Sequence, residues 1–166
     1  MSITTSLGRT DARILRALQA DPRMPAITLA ETLGLSRNTI QARLARIQTL
    51  AGRGPLGPGL DPTLLGYPLT AFISANVVQQ MLADVAESLA AIPEVIEVIG
   101  LSGNDDLLIR TVATDANDLY RIAGAILALP GIAHTSTALA MRSLVPHRLA
   151  PLLDRLTNEV DPDPDT

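Results

Sequence analysis

Residues 28–47 read Thr28-Leu29-Ala30-Glu31-Thr32-Leu33-Gly34-Leu35-Ser36-Arg37-Asn38-Thr39-Ile40-Gln41-Ala42-Arg43-Leu44-Ala45-Arg46-Ile47. Thr28 followed three residues later by Glu31 has the spacing of a capping box and predicts a short helix running to Leu33. Gly34 stands where the chain must turn through positive φ, which costs glycine nothing. Leu35 plugs the turn, and Ser36 is a good N-cap for the next helix. Ile40, Leu44 and Ile47 then recur at i, i+4 and i+7, a buried stripe. The rest of that helix offers Arg37, Asn38, Gln41 and Arg43, with Arg46 near by. Short helix, glycine turn and polar-faced helix form the helix-turn-helix pattern. A helix fits the major groove, where Arg pairs with guanine and Asn or Gln with adenine. Ser36 and Thr39 suit bases or phosphates. The candidate nucleic-acid contacts are therefore Ser36, Arg37, Asn38, Thr39, Gln41, Arg43 and Arg46.

Upstream, Thr10 is the expected cap of a first helix that opens with Asp11 and carries Ile14, Leu15 and Leu18. Asp21-Pro22 ends it, because proline turns the preceding residue away from helical geometry. The charge distribution supports a polyanion-binding head. All thirteen basic residues are Arg, and eight of them lie in residues 1–53 against three acids. The remainder holds five Arg against fourteen acids, so the net charge of −4 conceals a basic head on an acidic body.

Downstream, Ala51-Gly52-Arg53-Gly54-Pro55-Leu56-Gly57-Pro58-Gly59 cannot continue a helix. It lacks the Lys-Ser/Thr ending of a phosphate loop, and it reads as a connector. From Leu69 the period becomes two, predicting a strand over 69–78. Helix 80–91, strand 95–101, a turn at Ser102-Gly103-Asn104-Asp105, strand 106–113, helix 115–129 and strand 132–144 follow. The order β-α-β-β-α-β predicts a ferredoxin-like antiparallel sheet with two helices on one face. The fold class is α+β: an N-terminal helix-turn-helix (winged-helix-like) head and a ferredoxin-like body. The expected divisions are 1–50 for the head, 51–68 for the linker, 69–145 for the body and 146–166 for an extension. That extension holds a short helix over 149–156 and an acidic, proline-punctuated tail expected to be disordered. The uncovered sheet face carries small and apolar groups, and the same face of a second subunit is the expected cover.

The absence of cysteine excludes disulfides, thiolate metal sites and thiol nucleophiles. No membrane span, leader or cofactor is expected, which makes cytoplasmic the default location. Neither a nucleophile–base–orienter set nor a metal-ligand cluster is visible, and no catalytic or metal residues are assigned.

Taken together, these pieces resemble the Lrp/AsnC family of feast-famine regulators over residues 7–145. The resemblance rests on Thr10-Asp11-Ala12-Arg13-Ile14-Leu15, on Leu29 to Ser36, and on Arg43-Leu44-Ala45-Arg46-Ile47. It also rests on Leu60-Asp61-Pro62 through Leu65-Gly66-Tyr67, and on Ser102 to Leu108 as a Gly-x-x-Asp hairpin with Gly103 and Asp106. Leu129-Pro130-Gly131-Ile132, with Thr135 and Thr137 beyond, matches the last strand's approach. The Gly/Pro run 52–59 departs from the family's β segment. The resemblance implies a transcription regulator that binds double-stranded DNA as a homodimer, often assembled further into octamers. It also implies an amino-acid-type effector between subunits, with Ser102, Gly103, Asp106, Thr135 and Thr137 as candidates. Asp106 suits an ammonium group, but it equally suits turn amides, and Gly103 equally shapes a hairpin. Two other functions compete. One is a haem-precursor (sirohaem-type) decarboxylase of like architecture, for which the chain offers only His134 and His147. The other is a ligand-binding assembly module without DNA binding.

Overall fold

The computed structural model describes residues 6–51 and 60–158. The Gly/Pro run 52–59 and the acidic tail 161–165 lie outside the described residues. The head is three helices: α1 (Arg9–Ala20), α2 (Ala26–Leu33) and α3 (Arg37–Ala51). Ile14, Leu29, Ile40 and Ile47 are fully buried at their centre. The α1 cap differs from the expected Thr10. Gly8 is the N-cap, and Asp11 falls at the third helical position, where its carboxylate accepts the Gly8 N–H at 2.9 Å. The second helix also starts two residues before Thr28. Pro25 precedes its first turn, and the Leu29 N–H donates to the Pro25 carbonyl. Proline fixes φ for a helix start, and this outweighed the capping-box spacing. Gly34 adopts φ 65°, ψ 38°, as the turn requires, and Leu35 N–H closes on the Ala30 carbonyl at 2.9 Å.

A 3₁₀ turn, Pro62–Leu65, leads into the body, and the Leu7 N–H donates to the Leu64 carbonyl at 2.6 Å. The body runs β1 (Leu69–Val77), a 3₁₀ turn, α4 (Leu82–Ala90), β2 (Val95–Gly100), β3 (Leu107–Ala113), α5 (Ala116–Leu127) and β4 (Ile132–Leu139). All pairings are antiparallel, in the order β2-β3-β1-β4. Ile73, Ala75 and Val77 of β1 and Leu107, Ile109 and Ala113 of β3 face Val85 and Leu89 of α4 and Ile122 and Ile126 of α5. Gly131, at φ 94°, lies so close to α4 that an added Cβ would sit 2.8 Å from the Met81 Cβ.

Two expectations fail at strand and helix ends. The fourth strand stops at Leu139 rather than 144. β1 begins only at Leu69, after Pro68, and once Ala140 N–H has bonded the Thr70 carbonyl little strand remains to pair with. The expected helix start near Gln80 is taken by the 3₁₀ turn Gln79–Met81, and regular helix begins at Leu82. The opposite sheet face shows Thr70, Phe72 and Ser74 of β1, Leu108 and Arg110 of β3, and Glu97 and Ile99 of β2. Arg110 and Glu97 approach to 3.9 Å on it. Beyond β4, an irregular stretch leads to α6 (Ala150–Asn158).

Candidate nucleic-acid interface and ligand site

Helix α3 is held at its start by its own cap. Ser36 Oγ accepts the Thr39 N–H at 3.1 Å and lies 2.8 Å from Thr39 Oγ1. Each hydroxyl carries one hydrogen. One hydrogen closes the contact between them, and the other remains to donate outward. Arg37, Asn38 and Gln41 are exposed and share one side of the helix, which continues through Ala42, Ala45 and Gln48. The alanines make that strip low, which favours close approach of another molecule's backbone.

Arg43 and Arg46 face a different way. Both reach the carboxylate of Asp11, which is fully buried: Arg46 Nη1 at 2.6 Å and Arg43 Nη1 at 3.4 Å. Arg46 Nη2 also donates to the Ser6 carbonyl at 3.2 Å. Asp11 therefore ties the middle of α3 to the first turn of α1. The seven candidate contacts divide into five at the open end of α3 and two engaged with another helix. Sequence reasoning overlooked this because α1 and α3 meet only in the fold. The one clue was Asp11 itself, an acid opening the first helix of an Arg-rich head. Arg13 is also engaged within the head, donating to the Leu33 carbonyl at 3.0 Å at the end of α2.

In the body, the hairpin 102–106 sits at one end of the sheet. Gly103 has φ 149°, and Ser102 and Gly103 are exposed. Asp106 binds backbone and side chain of its own protein. Its Oδ2 accepts the Val77 N–H at 2.8 Å and its Oδ1 accepts Gln79 Nε2 at 3.2 Å. Its N–H donates to the Ala75 carbonyl at 3.0 Å, and its carbonyl accepts the Leu101 N–H at 2.8 Å. Beside it Asn76 Nδ2 donates to the Asn104 carbonyl at 2.6 Å. The register of β1 and β4 breaks between Asn76 and Val77, so Asp106 supports the strand where its ladder is disturbed. Of the two roles left open for Asp106, satisfying amides is the one this geometry displays. Thr135 pairs with Ala75 and so lies at this end of the sheet, while Thr137 pairs with Ile73, further in. Asn76 and Gln79 complete the cluster; neither stood out from its neighbours in the sequence.

His134 and His147 are exposed and lie on different segments, and no group of three His, Cys, Asp or Glu side chains among the described residues could hold a metal ion. None of the described helices is long and apolar enough to cross a membrane.

Two family descriptions match the chain: an AsnC-type helix-turn-helix domain over residues 7–48 and an Lrp/AsnC ligand binding domain over residues 70–150. The HTH-type transcriptional regulator AldR of Mycolicibacterium smegmatis is 31% identical over 138 residues, spanning 81% of this chain and 81% of that protein. The chain belongs to the Lrp/AsnC family. It is a DNA-binding transcriptional regulator with a helix-turn-helix head and a ligand-binding body. Among solved structures, the AsnC family regulator of Agrobacterium tumefaciens is 27% identical, with a TM-score of 0.50, covering 88% of this chain and 99% of that one. A Neisseria meningitidis transcriptional regulator, solved as a complex with L-Met, shares the fold with a TM-score of 0.51 at 24% identity, covering 89% of this chain and 99% of that one.

Proposed function

We propose that this Lrp/AsnC regulator reads DNA with the first two turns of α3. Arg37, Asn38 and Gln41 address base edges, and the Ser36–Thr39 hydroxyl pair donates to a phosphate. The observation that carries this reading is the open, low strip of α3 that begins at Arg37. Arg43 and Arg46 act in this reading by fixing the angle at which α3 is presented, through Asp11. The head takes residues 1–50, the linker 51–68, the body 69–145 and the extension 146–166. Two separate apolar clusters, one around Ile14 and Ile47 and one around Ile73 and Ile109, support that division.

The body binds an amino-acid-class effector at the hairpin end of the sheet, around Ser102, Gly103 and Thr135, with Thr137 adjoining. The L-Met complex of the Neisseria protein is in keeping with that chemistry. Asp106 shapes the hairpin, and its carboxylate answers an effector's ammonium only by releasing Gln79. The open sheet face, with Phe72 and Ile99, pairs with that of a second copy, so two heads address two half-sites. The protein works in the cytoplasm and catalyses no reaction of its own.

The test is operator binding measured across salt concentrations. A head that neutralises phosphates loses affinity log-linearly as salt rises. Arg37→Ala should weaken operator binding and relax preference at one base position; unchanged affinity and preference would refute the assignment of α3.

A further inference from the structure

The sheet face turned away from α4 and α5 is not open along its whole length. Val112, at the end of β3 remote from the hairpin, alternates onto that face with Arg110, yet it is only 4% exposed. Leu64 of the 3₁₀ turn Pro62–Leu65 is buried as well. The chain's own linker turn lies over this end, and beside it is a cavity of about 460 Å³. That volume falls within the range of small-molecule sites. Leu65 of the turn, Pro93 and Ile96 at the entry to β2, and Val112 give the cavity apolar walls. Its lining carries one cation and one carboxylate, Arg110 and Glu97.

These two charges leave each other poorly satisfied. Arg110 Nη1 and Glu97 Oε2 are 3.9 Å apart, too far for a hydrogen bond, and both side chains are about half exposed. A pair so long and so wet adds little to stability. Arg110 Nε is buried and has no hydrogen-bond partner, which is a costly state for a donor. The guanidinium is therefore short of acceptors and only lightly held by Glu97.

We propose that this cavity binds an apolar α-amino acid as its zwitterion, at a site separate from the hairpin end of the sheet. The ligand's carboxylate accepts from the Arg110 guanidinium, its ammonium donates to Glu97, and its side chain lies against Leu65, Ile96 and Val112. Such a ligand replaces one long contact by two charge-assisted hydrogen bonds. A plain carboxylic acid would set its anion against Glu97, and a plain amine would set its cation against Arg110, so the pair selects a zwitterion. Gln19 of α1 lines the same cavity, and the Leu7 N–H already ties the head to the linker turn at the Leu64 carbonyl. An occupant therefore meets head, linker and body at once and bears on how the head is held. Phe72 and Ile99, which face a second copy in the reading above, lie outside this lining. The inference does not depend on what the hairpin end binds.

Methyl NMR of the full chain, titrated in turn with L-leucine, L-isoleucine, L-methionine and L-phenylalanine, tests the proposal. The Ile96 and Val112 methyls report the cavity, and the Thr135 methyl reports the hairpin end. At least one amino acid should shift Ile96 and Val112 saturably, while its deaminated acid and its decarboxylated amine each bind at least about tenfold more weakly. Arg110→Met and Glu97→Gln, checked for folding by circular dichroism, should each weaken the Ile96 response at least about tenfold and leave the Thr135 response in place. No saturable shift at Ile96 and Val112 with ligand up to about 10 mM overturns the proposal. So does a deaminated acid that binds as tightly as the amino acid. Shifts that persist in Arg110→Met but vanish in Thr135→Val trace the binding to the hairpin end and overturn it too.

Discussion

Substituting Arg46 should destabilise the head before it alters base recognition. The Asp11 carboxylate is fully buried and has three partners: the Gly8 N–H at 2.9 Å, Arg46 Nη1 at 2.6 Å and Arg43 Nη1 at 3.4 Å. Arg46→Ala removes the shortest of these and leaves a buried negative charge with one amide and one long contact. Breaking a buried pair from one side costs about 3–5 kcal/mol when both partners are desolvated. Here the guanidinium of Arg46 is 37% exposed and that of Arg43 is 40% exposed, so solvent screens part of the attraction. The expected cost of Arg46→Ala is therefore about 2–3 kcal/mol, with about 1 kcal/mol for the longer contact in Arg43→Ala. Asp11→Asn keeps an oxygen for the Gly8 amide and releases two arginines that already touch water, so it costs less than Arg46→Ala. The double-mutant cycle of Asp11→Ala with Arg46→Ala should return a coupling of about 1–2 kcal/mol.

The chain has no Trp, so urea unfolding followed by far-UV circular dichroism is the natural assay. Hydrogen exchange at Ile14 and Ile47 would assign the loss to the head. If Arg46→Ala left unfolding unchanged and shifted which operator bases are preferred, Arg46 would be a reading residue and the clamp argument would be wrong.

Arg37→Ala should behave in the opposite way, losing about 1–3 kcal/mol of operator affinity with unfolding unchanged, as gel-shift titration and urea melts would register together. Gly131→Ala combines positive φ with a Cβ only 2.8 Å from Met81 Cβ and 3.0 Å from Val85 Cγ2; strain and overpacking predict a loss of about 2–4 kcal/mol in chemical unfolding. Asp118 accepts the Thr114 N–H at 3.0 Å and is gripped by Arg121, and these two contacts, the amide first, hold its carboxyl below the usual carboxylate range. A carboxylate with a depressed folded pKa contributes stability above its unfolded pKa and loses it as pH falls through the folded value, so Asp118→Asn should flatten the acid limb of stability below about pH 4. Asp106→Ala frees the Val77 amide at the break in the β1–β4 register and should raise hydrogen exchange at Val77 and Leu107 before it changes any effector affinity.

The helices of the head and the strand order of the body were legible because burial imposes a period. Ile40, Leu44 and Ile47 declared α3, and the alternation from Ala71 to Val77 declared β1, since an apolar residue out of phase would face water. Element ends were less legible because each depends on a neighbour that is distant in sequence. The end of β4 at Leu139 follows from where β1 begins, at Leu69, far earlier in the chain. The start of α2 was a contest between two local signals, Pro25 and the Thr28–Glu31 spacing, and the backbone constraint prevailed over the side-chain one.

The candidate site residues divide along the same line. Arg37, Asn38 and Gln41 could be chosen from the sequence because exposure at the start of a helix is a local property. Arg43 and Arg46 could not be told from them by residue type, since an arginine that reads a base and one that neutralises a buried acid are the same letter. What separates them is Asp11, thirty-two and thirty-five residues away. Asp106 repeats the lesson in the body, where the acid that suited a ligand and turn amides equally is occupied by the Val77 amide and Gln79. In both domains one carboxylate fixes the geometry of a neighbouring element, α3 in the head and the disturbed end of β1 in the body. The groups left to meet another molecule are the neutral or unpaired ones beside it. A ligand that drew Asp106 away from Gln79 would therefore loosen the end of β1 that pairs with β4.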